Sequence, residues 1–222
     1  MIVSILNQKG GVGKTTLAVH LARYFTKKGD QVVLIDSDPQ GSSMDWHERS
    51  KGDLIHTVCQ PTATLPQDVK KYISMGCKWI IIDGVPHVSP KTASAINCSD
   101  IVLIPVQPSP YDIWSSSEIV ELIKTRQSVN FNKPHAAFVV SRKIVNTNLG
   151  RDIHESLQGY ELPVFKSHTC QRVVYPHSAN IGSTVLDMGH DAKEAANEIE
   201  EIAKELEEIS NELDTNQEAK NY

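Results

Sequence analysis

The sequence contains no long apolar run and no cysteine pattern typical of a metal or redox centre. None of its 222 residues lies in a stretch that approaches the roughly 18 uninterrupted apolar residues of a membrane span. The N-terminus has no basic region followed by a signal-type apolar segment, so we expect a cytoplasmic protein with no membrane partner. The cysteines include no C-x-x-C pair, which argues against zinc and redox chemistry. They are Cys59, Cys77, Cys98 and Cys170.

The composition is that of an ordinary soluble domain. Hydrophobic residues make up 40% of the chain and charged residues 22%. Internal repeats and low-complexity linkers are absent, and the length suits one sizeable core. We therefore expect a single domain over residues 1–213, followed by a disordered tail over residues 214–222.

A glycine-rich segment, K-G-G-V-G-K-T-T, follows the apolar opening run Met1–Leu6 almost directly. Its glycines let the backbone fold close around an anion with the N–H groups pointing inward. Lys14 then reaches the β and γ phosphates, Thr15 offers a hydroxyl to Mg²⁺, and the dipole of the following helix favours the negative charge. The segment predicts a site for a nucleoside triphosphate. Its residues are Lys9, Gly10, Gly11, Val12, Gly13, Lys14, Thr15 and Thr16.

The loop departs from the general pattern G-x-x-x-x-G-K-[ST], because Gln8 stands where that pattern has glycine. It carries a second lysine, Lys9, at its start, and a second cation near a polyphosphate favours binding. In these residues the chain resembles the deviant Walker A ATPases of the ParA and MinD type, marked by K-G-G-x-G-K-[ST]. The resemblance runs from Met1 to about Leu213. It implies a P-loop nucleoside triphosphatase in which Lys9 reaches across a dimer interface to the ATP of the other subunit.

Apolar, β-rich runs alternate with helical stretches along the chain. Runs such as 32–35 and 80–82 are apolar on both faces, as expected of parallel strands covered by helices on each side. The pattern predicts a doubly wound α/β fold with a mostly parallel sheet, helices on both faces and ligands at the carboxyl ends of the strands. The predicted strands are Ile2–Leu6, Val32–Asp36, Ile55–Cys59, Trp79–Asp83, Ile101–Val106, Ala136–Val140 and a short one near Pro163–Phe165.

An acidic pair closes the second predicted strand, in the segment I-D-S-D-P-Q. Two carboxylates beside a phosphate loop suit metal and water handling better than packing. A solvated turn in which an aspartate caps the backbone is the alternative. The segment is similar to the D-x-D-P-Q motif of the ParA and MinD family, whose second aspartate positions the attacking water. The resemblance implies that Asp38 acts in hydrolysis and that Asp36 supports Mg²⁺ and the lysine network.

The run W-I-I-I-D has the form of a Walker B strand and ends at Asp83. Asp83 would hold Mg²⁺ through water, and Gly84 to Pro86 would start a nucleotide-sensing switch. The predicted cofactors are therefore ATP and Mg²⁺. Hydrolysis would proceed by in-line attack of water on the γ-phosphoryl, with Lys14, Lys9 and Mg²⁺ stabilising the developing charge.

Two further segments are interpreted through the resemblance. Residues 105–112 read P-V-Q-P-S-P-Y-D and resemble the P-V-x-P-S-P-x-D stretch of the small plasmid-partition ATPases known as ParF, in a region used for dimer contacts. A proline-punctuated connection, in which Asp112 or a nearby serine caps a helix running to about Ser128, is the alternative. By the same resemblance, the base pocket lies near Ser141–Arg142 and Thr169–Gln171, with adenine preferred, and Arg142 belongs to the nucleotide site.

Charge is distributed unevenly along the chain. Residues 122–177 carry 8 Lys and Arg against 3 Asp and Glu, whereas residues 187–222 carry 3 against 12. The basic middle segment is either a solvated face or a low-specificity DNA surface formed when two subunits join. We favour Arg172 and Lys143 as DNA contacts. The full set of candidates is Lys124, Arg126, Arg142, Lys143, Lys166 and Arg172.

The last predicted helix carries one apolar seam flanked by Glu and Lys, which favours packing against the domain. The MinD branch instead ends in a basic amphipathic helix suited to anionic lipid, so the acidic helix disfavours membrane cycling. The first predicted strand begins at residue 2, and we therefore expect no N-terminal helix-turn-helix domain of the larger ParA type. The seam consists of Ile199, Ile202, Leu206, Ile209 and Leu213.

We interpret the sequence as a small, ParF-like ParA ATPase. ATP would drive formation of a homodimer, the dimer would bind DNA non-specifically at the nucleoid, and a centromere-binding or cargo-adaptor protein would stimulate hydrolysis. Two alternatives stay open: a nucleotide-switched regulator that binds a protein and no DNA, and an ATP-dependent enzyme of the dethiobiotin-synthetase type. The sequence offers no candidate residues for the small-substrate pocket that the enzyme needs.

Overall fold

A seven-stranded sheet with all neighbouring strands parallel forms the centre of the computed structural model, which describes residues 1–62, 64–130, 133–145 and 149–219. Its strand order is β3-β2-β4-β1-β5-β6-β7. The strands are β1 (Ile2–Ile5), β2 (Val32–Asp36), β3 (Thr57–Cys59), β4 (Trp79–Asp83), β5 (Ile101–Val106), β6 (His135–Lys143) and β7 (Val164–Cys170).

Helices cover both faces of this sheet. They are α1 (Lys14–Lys27), α2 (Ser42–Arg49), α3 (Leu65–Ser74), α4 (Pro90–Cys98), α5 (Pro110–Trp114), α6 (Ser117–Val129), α7 (Leu149–Gln158), α8 (Val174–Asn180) and α9 (Lys193–Ala219). Two 3₁₀ turns, 185–187 and 189–192, precede α9. One core packs α1, α2, α8 and α9 against the sheet, and the other packs α3 to α7 against the opposite face. The predicted doubly wound fold is confirmed.

The central strands form where the sequence is continuously apolar. Every residue of β2, β4 and β5 is buried, because helices remove both faces of these strands from water. The chain passes from β1 outward to β2 and β3 on one side, and β5, β6 and β7 fill the other side. The carboxyl end of β1 therefore lies at the point where the strand order reverses, which is where folds of this type bind ligands.

The strand prediction is confirmed for all seven strands, with differences at the edges. The sheet is wholly parallel over the described residues, whereas we expected it to be mostly parallel. Strand β7 is longer than the expected Pro163–Phe165, because beyond Phe165 the strand alternates between exposed and buried polar residues and no longer looks apolar. The helix expected to run to about Ser128 is interrupted between α5 and α6.

The acidic helix α9 packs its apolar seam against the sheet, as predicted. Ile199, Ile202 and Leu206 are fully buried in the core that contains α1. The helix continues to Ala219, so the disordered tail expected over 214–222 is wrong for 214–219, and residues 220–222 lie outside the described residues. Within the described parts of the chain, no helix is long and apolar enough to cross a membrane.

Helix α9 also covers the exposed edge of β7. The edge strand would otherwise present unpaired N–H groups to solvent. The carboxylate of Glu205 accepts hydrogen bonds from the backbone N–H groups of Lys166 and Ser167, at 2.9 and 3.1 Å. Glu198 accepts one from the N–H group of Cys170, at 3.0 Å. The acidic residues of α9 thus replace a missing neighbouring strand.

A buried histidine joins α1 to the segment before α9. His20 Nε2 accepts a hydrogen bond from the N–H group of Val185 at 3.1 Å, so Nδ1 carries the proton that it donates to the carbonyl of Thr16 at 2.7 Å. Burial lowers the pKa of His20 to about 4. The neutral ring therefore belongs to the folded state.

Acidification should destabilise the protein through this histidine. Its folded-state pKa lies below its ordinary value of 6.5, so the unfolded chain binds more protons between about pH 6.5 and 4. Stability is then lost as the pH falls through that window, by up to roughly 3 kcal/mol. We expect His20→Gln to lose less stability than wild type between pH 7 and 4.5, measured by urea denaturation. The exposed His177→Gln should behave as wild type, and an unchanged acid dependence in His20→Gln would contradict the assignment.

Candidate functional site

The glycine-rich loop lies between β1 and α1, and side chains from the neighbouring strands hold its carbonyl groups. The carbonyl of Gly11 accepts hydrogen bonds from Gln107 Nε2 at 2.9 Å and Arg142 Nη1 at 3.1 Å. The carbonyl of Val12 accepts one from Ser141 Oγ at 2.6 Å. A carbonyl that faces these donors cannot face a bound phosphate. The arrangement therefore suits a loop whose N–H groups bind an anion.

Two glycines of the loop adopt a backbone conformation that other residues rarely reach. Gly11 has a φ of 76° and Gly13 a φ of 96°, both in the left-handed region. Gly13 is followed directly by α1, whose N-terminal end faces the same cavity through Lys14 and Thr15. Glycine is therefore favoured at these two positions, because other residues rarely adopt the left-handed backbone conformation found there.

Lys14 lies at the start of α1 with its ammonium group inside the loop. Its Nζ donates to the carbonyl of Lys9 at 2.9 Å. Burial lowers the pKa of Lys14, and the nearby carboxylates of Asp83 and Asp38 oppose that shift. A cation held between the loop and two carboxylates can turn to a phosphate oxygen when one enters the cavity.

Asp83 ends β4 and is wholly buried beside the loop. Its Oδ2 accepts hydrogen bonds from Thr15 Oγ1 at 2.7 Å and from Ser43 Oγ at 2.8 Å. Its Oδ1 is buried and has no hydrogen-bond partner among the described residues. Burial raises the pKa of Asp83 to about 7. A buried carboxylate with a free oxygen, next to a threonine hydroxyl, fits the all-oxygen coordination that Mg²⁺ prefers.

Asp36 ends the neighbouring strand β2, where it lies in register with Asp83. Its Oδ1 accepts from the N–H group of Asp38 at 3.0 Å, and its Oδ2 accepts from those of Ser43 and Met44 at 2.9 and 3.0 Å. Burial nevertheless raises the pKa of Asp36. Oδ1 thus holds the loop before α2 and Oδ2 holds the first turn of α2, and Asp36 forms no ion pair with a lysine in the described chain. Its observed contacts are those of a backbone cap, which differs from the expected lysine network.

Asp38 lies in the loop that Asp36 holds. Its side chain is half-buried and lines the same cavity as Lys14 and Thr15. Its Oδ1 accepts a hydrogen bond from the N–H group of Gln40 at 3.0 Å. The structure therefore brings the carboxylate of Asp38 to the same cavity as the phosphate loop.

Lys9 does not point into its own cavity. Its Nζ forms an ion pair with Asp112 Oδ2 at 2.9 Å, in which the lysine is 40% exposed and the aspartate only 4%. Asn7 fastens the start of the loop to the same region, because it accepts from the N–H group of Lys9 and donates to the carbonyl of Pro105. Asp112, which the sequence suggested as a helix cap, is instead the counter-ion of Lys9.

The cavity has a volume of about 830 Å³ and extends from the phosphate loop across the ends of β6 and β7. Both segments expected at the base pocket line it, including Ser141, Arg142 and Thr169. Arg142 has a φ of 53°, and β6 is irregularly paired with β7 next to it. A non-glycine residue in this conformation is strained, and such strain is commonly found at functional positions.

Residues 3–185 match the family described as the CobQ/CobB/MinD/ParA nucleotide binding domain. The chain belongs to this family. As a member, it is a P-loop ATPase of the ParA and MinD type.

Two curated members of the family illustrate the similarity in sequence. The maintenance of carboxysome distribution protein A of Halothiobacillus neapolitanus is 29% identical over 201 residues, covering 87% of this chain and 90% of that protein. The sporulation initiation inhibitor protein Soj of Bacillus subtilis is 26% identical over 200 residues, covering 72% and 79%.

Three solved structures show the same fold. The MinD cell division protein of Aquifex aeolicus has a TM-score of 0.73 at 18% identity, covering 92% of this chain and 96% of that chain. A Cyanothece McdA in complex with ATP has a TM-score of 0.69 at 15% identity, covering 92% and 95%. The cobyrinic acid a,c-diamide synthase of Mycobacterium smegmatis, with an ATP analog and magnesium, has a TM-score of 0.63 at 20% identity, covering 81% and 92%.

The basic residues considered for DNA contact are not equivalent in this ATPase. Arg172 is paired with two carboxylates of α9: its Nε lies 2.7 Å from Glu198 Oε1, and its Nη1 contacts Glu194. Lys124 is paired with Glu161 at 2.7 Å. Lys143 and Lys166 form no ion pair with any described residue. The preference for Arg172 therefore weakens, because its charge is already neutralised within the subunit.

Ser43 is a residue of this site that the sequence did not predict. The hydroxyl of Ser43 is fully buried against Asp83, although the residue belongs to no motif that we recognised. The one available signal was its position just after the D-S-D-P-Q-G segment, at the start of a helix that returns toward the phosphate loop.

Lys14→Ala should lower the affinity for ATP by at least about tenfold, because a charge-assisted hydrogen bond contributes about 1.5–3 kcal/mol. Isothermal titration calorimetry measures this directly. Lys70→Ala removes an exposed lysine of α3 and should bind ATP as wild type does. Wild-type affinity in a folded Lys14→Ala protein would refute the role given to the loop.

Proposed function

We propose that this ATPase is a ParA-like positioning protein whose ATP-bound homodimer binds DNA non-specifically. The observation that carries the proposal is the placement of Lys9, whose ammonium group lies outside its own cavity beside α5 while Lys14 lies inside. A lysine of the phosphate loop that does not point into the nucleotide cavity of its own subunit is available to bind the nucleotide of a second subunit. The relative named for carboxysome distribution supports a positioning role.

The cavity supports hydrolysis of ATP. Thr15 and Asp83 would hold Mg²⁺, which neutralises charge on the phosphate oxygens when bound. Lys14 stabilises the negative charge that develops on the γ-phosphoryl, and Asp38 orients the attacking water at the cavity mouth. Solved structures of the same fold, one with ATP and one with an ATP analog and magnesium, support these two cofactors.

Formation of the dimer requires Lys9 to leave Asp112. The ion pair competes with transfer of the lysine to the phosphates of the other subunit. Lys9 is 40% exposed but Asp112 only 4%, so the departure of Lys9 leaves a buried carboxylate without its counter-ion, which is unfavourable. Charge-assisted bonds from Lys9 to the other subunit's ATP would offset that cost.

Lys9→Ala should remove the ATP-dependent dimer, whereas Asp112→Asn, which frees Lys9, should keep it or strengthen it by up to about fivefold. Sedimentation velocity with ATP measures both. Lys9→Ala leaves the buried Asp112 unpaired, so Lys9→Ala in the Asp112→Asn background is the matched variant for folding. A dimer of wild-type strength in that double variant would rule out the cross-subunit role.

The proposed DNA surface uses lysines that form no ion pair with the described residues of the subunit. Lys143 is the last residue of β6, next to the nucleotide cavity, and Lys166 is an exposed residue of the edge strand β7. Non-specific binding arises from release of counterions when such cations meet phosphates. The proposal further includes a nucleoid location and a centromere-binding or cargo-adaptor partner that stimulates hydrolysis.

Binding to random-sequence DNA should require ATP and fall steeply with salt. Replacing Lys143 and Lys166 by alanine should reduce the slope of log affinity against log salt by about 0.9 for each DNA phosphate that is no longer neutralised. Arg172→Gln should change the slope less, because Glu194 and Glu198 already neutralise Arg172. Fluorescence anisotropy at several salt concentrations measures these slopes. If no ATP-dependent binding occurs, a regulator without DNA binding becomes the better description.

A further inference from the structure

The hydroxyl of Ser43 contacts the side chain that is expected to hold the metal. It donates to Asp83 Oδ2 at 2.8 Å, beside the Thr15 hydroxyl, which donates to the same oxygen at 2.7 Å. Two donors therefore converge on one carboxylate oxygen, while Oδ1 has no partner within the described residues. Two donors on a single oxygen fix the rotation of a carboxylate and leave the other oxygen for a further ligand.

Folding of α2 does not require this hydroxyl. The left-handed Gly41 precedes the helix, and Asp36 satisfies the first N–H groups, including that of Ser43 itself. Ser43 lies inside the helix, where alanine is the better helix former. The hydroxyl therefore serves its contact with Asp83.

Ser43, in the first turn of α2, is also connected to the loop that carries Asp38. The carboxylate of Asp36 binds the N–H groups of both Asp38 and Ser43, so these residues form one hydrogen-bonded unit between β2 and α2. The hydrogen bond between Ser43 and Asp83 connects that unit to the side chain at the end of β4. Ser43 is thus hydrogen-bonded both to Asp83 and to the carboxylate that holds Asp38.

We propose that Ser43 is a positioning residue that orients Asp83 for Mg²⁺ and couples binding of the metal to the Asp38 loop. This inference rests on the proposed use of ATP with Mg²⁺. Partners that orient a metal-holding side chain typically change metal affinity or activity by about 10- to 100-fold when removed. Ser43 should thus affect the affinity for Mg²⁺, whereas the phosphate loop supplies the contacts to the nucleotide.

The test compares Ser43→Ala with wild type by titrating Mg²⁺ against binding of a fluorescent ATP analogue. We expect the half-saturating Mg²⁺ concentration to rise by roughly tenfold. Affinity in the presence of EDTA should stay within about twofold of wild type, and excess Mg²⁺ should restore ATP turnover. Ser50→Ala is the matched control, because Ser50 directly follows α2 and its hydroxyl donates to the carbonyl of His47, away from Asp83.

The possible results distinguish failure of the role given to Ser43 from failure of the proposed use of ATP with Mg²⁺. An unchanged Mg²⁺ dependence in Ser43→Ala, with wild type responding to the metal, overturns the role of Ser43 alone. Turnover that stays low at excess Mg²⁺ likewise overturns it, since the defect is then structural. A wild-type protein whose nucleotide affinity ignores Mg²⁺ overturns the proposed function instead. Thermal unfolding monitored by circular dichroism confirms that each variant is folded.

Discussion

Two carboxylates buried side by side set the requirements of this site. Asp36 and Asp83 end neighbouring strands in register, and both lie away from water. Burial of like charges is unfavourable unless each is hydrogen-bonded or paired with a cation. Asp36 is satisfied by three backbone N–H groups, which fixes the loop bearing Asp38. Asp83 has two hydroxyl donors and one oxygen without a described partner, so its compensation is incomplete.

That incomplete compensation explains why the region suits a cation. The nearby Lys14 is desolvated, and its positive charge lies close to the carboxylates of Asp83 and Asp38. A divalent ion at Asp83 would neutralise the buried charge and release Lys14 for the nucleotide. Lys9 contributes nothing to this balance within its own subunit, because Asp112 holds it outside the cavity. The described residues of the subunit therefore leave the negative charge of Asp83 without a full set of partners.

Sequence patterns predicted those features that depend on local chain geometry. The left-handed Gly11 and Gly13 reflect a backbone requirement, and the apolar runs of β2, β4 and β5 reflect burial on both faces. The length of β7 was missed, since an edge strand with alternating polar residues carries no such run. Ser43 was missed because its partner, Asp83, is forty residues away and meets it only through the parallel pairing of β2 with β4.

The distribution of charge along the sequence was a poor guide to the basic surface, because the fold pairs Arg172 of the basic segment with glutamates of α9. The apolar seam of the acidic helix predicted its packing, but nothing in the sequence linked its carboxylates to the basic middle segment. In the structure, α9 lies along the edge of β7, where Glu198 and Glu205 bind backbone N–H groups and Glu194 and Glu198 pair with Arg172. The helix therefore protects an edge strand and removes one arginine from the positive field. A phosphate-binding surface is better built from cations whose side chains pair with no described carboxylate of α9, which is why Lys143 and Lys166 become the stronger candidates.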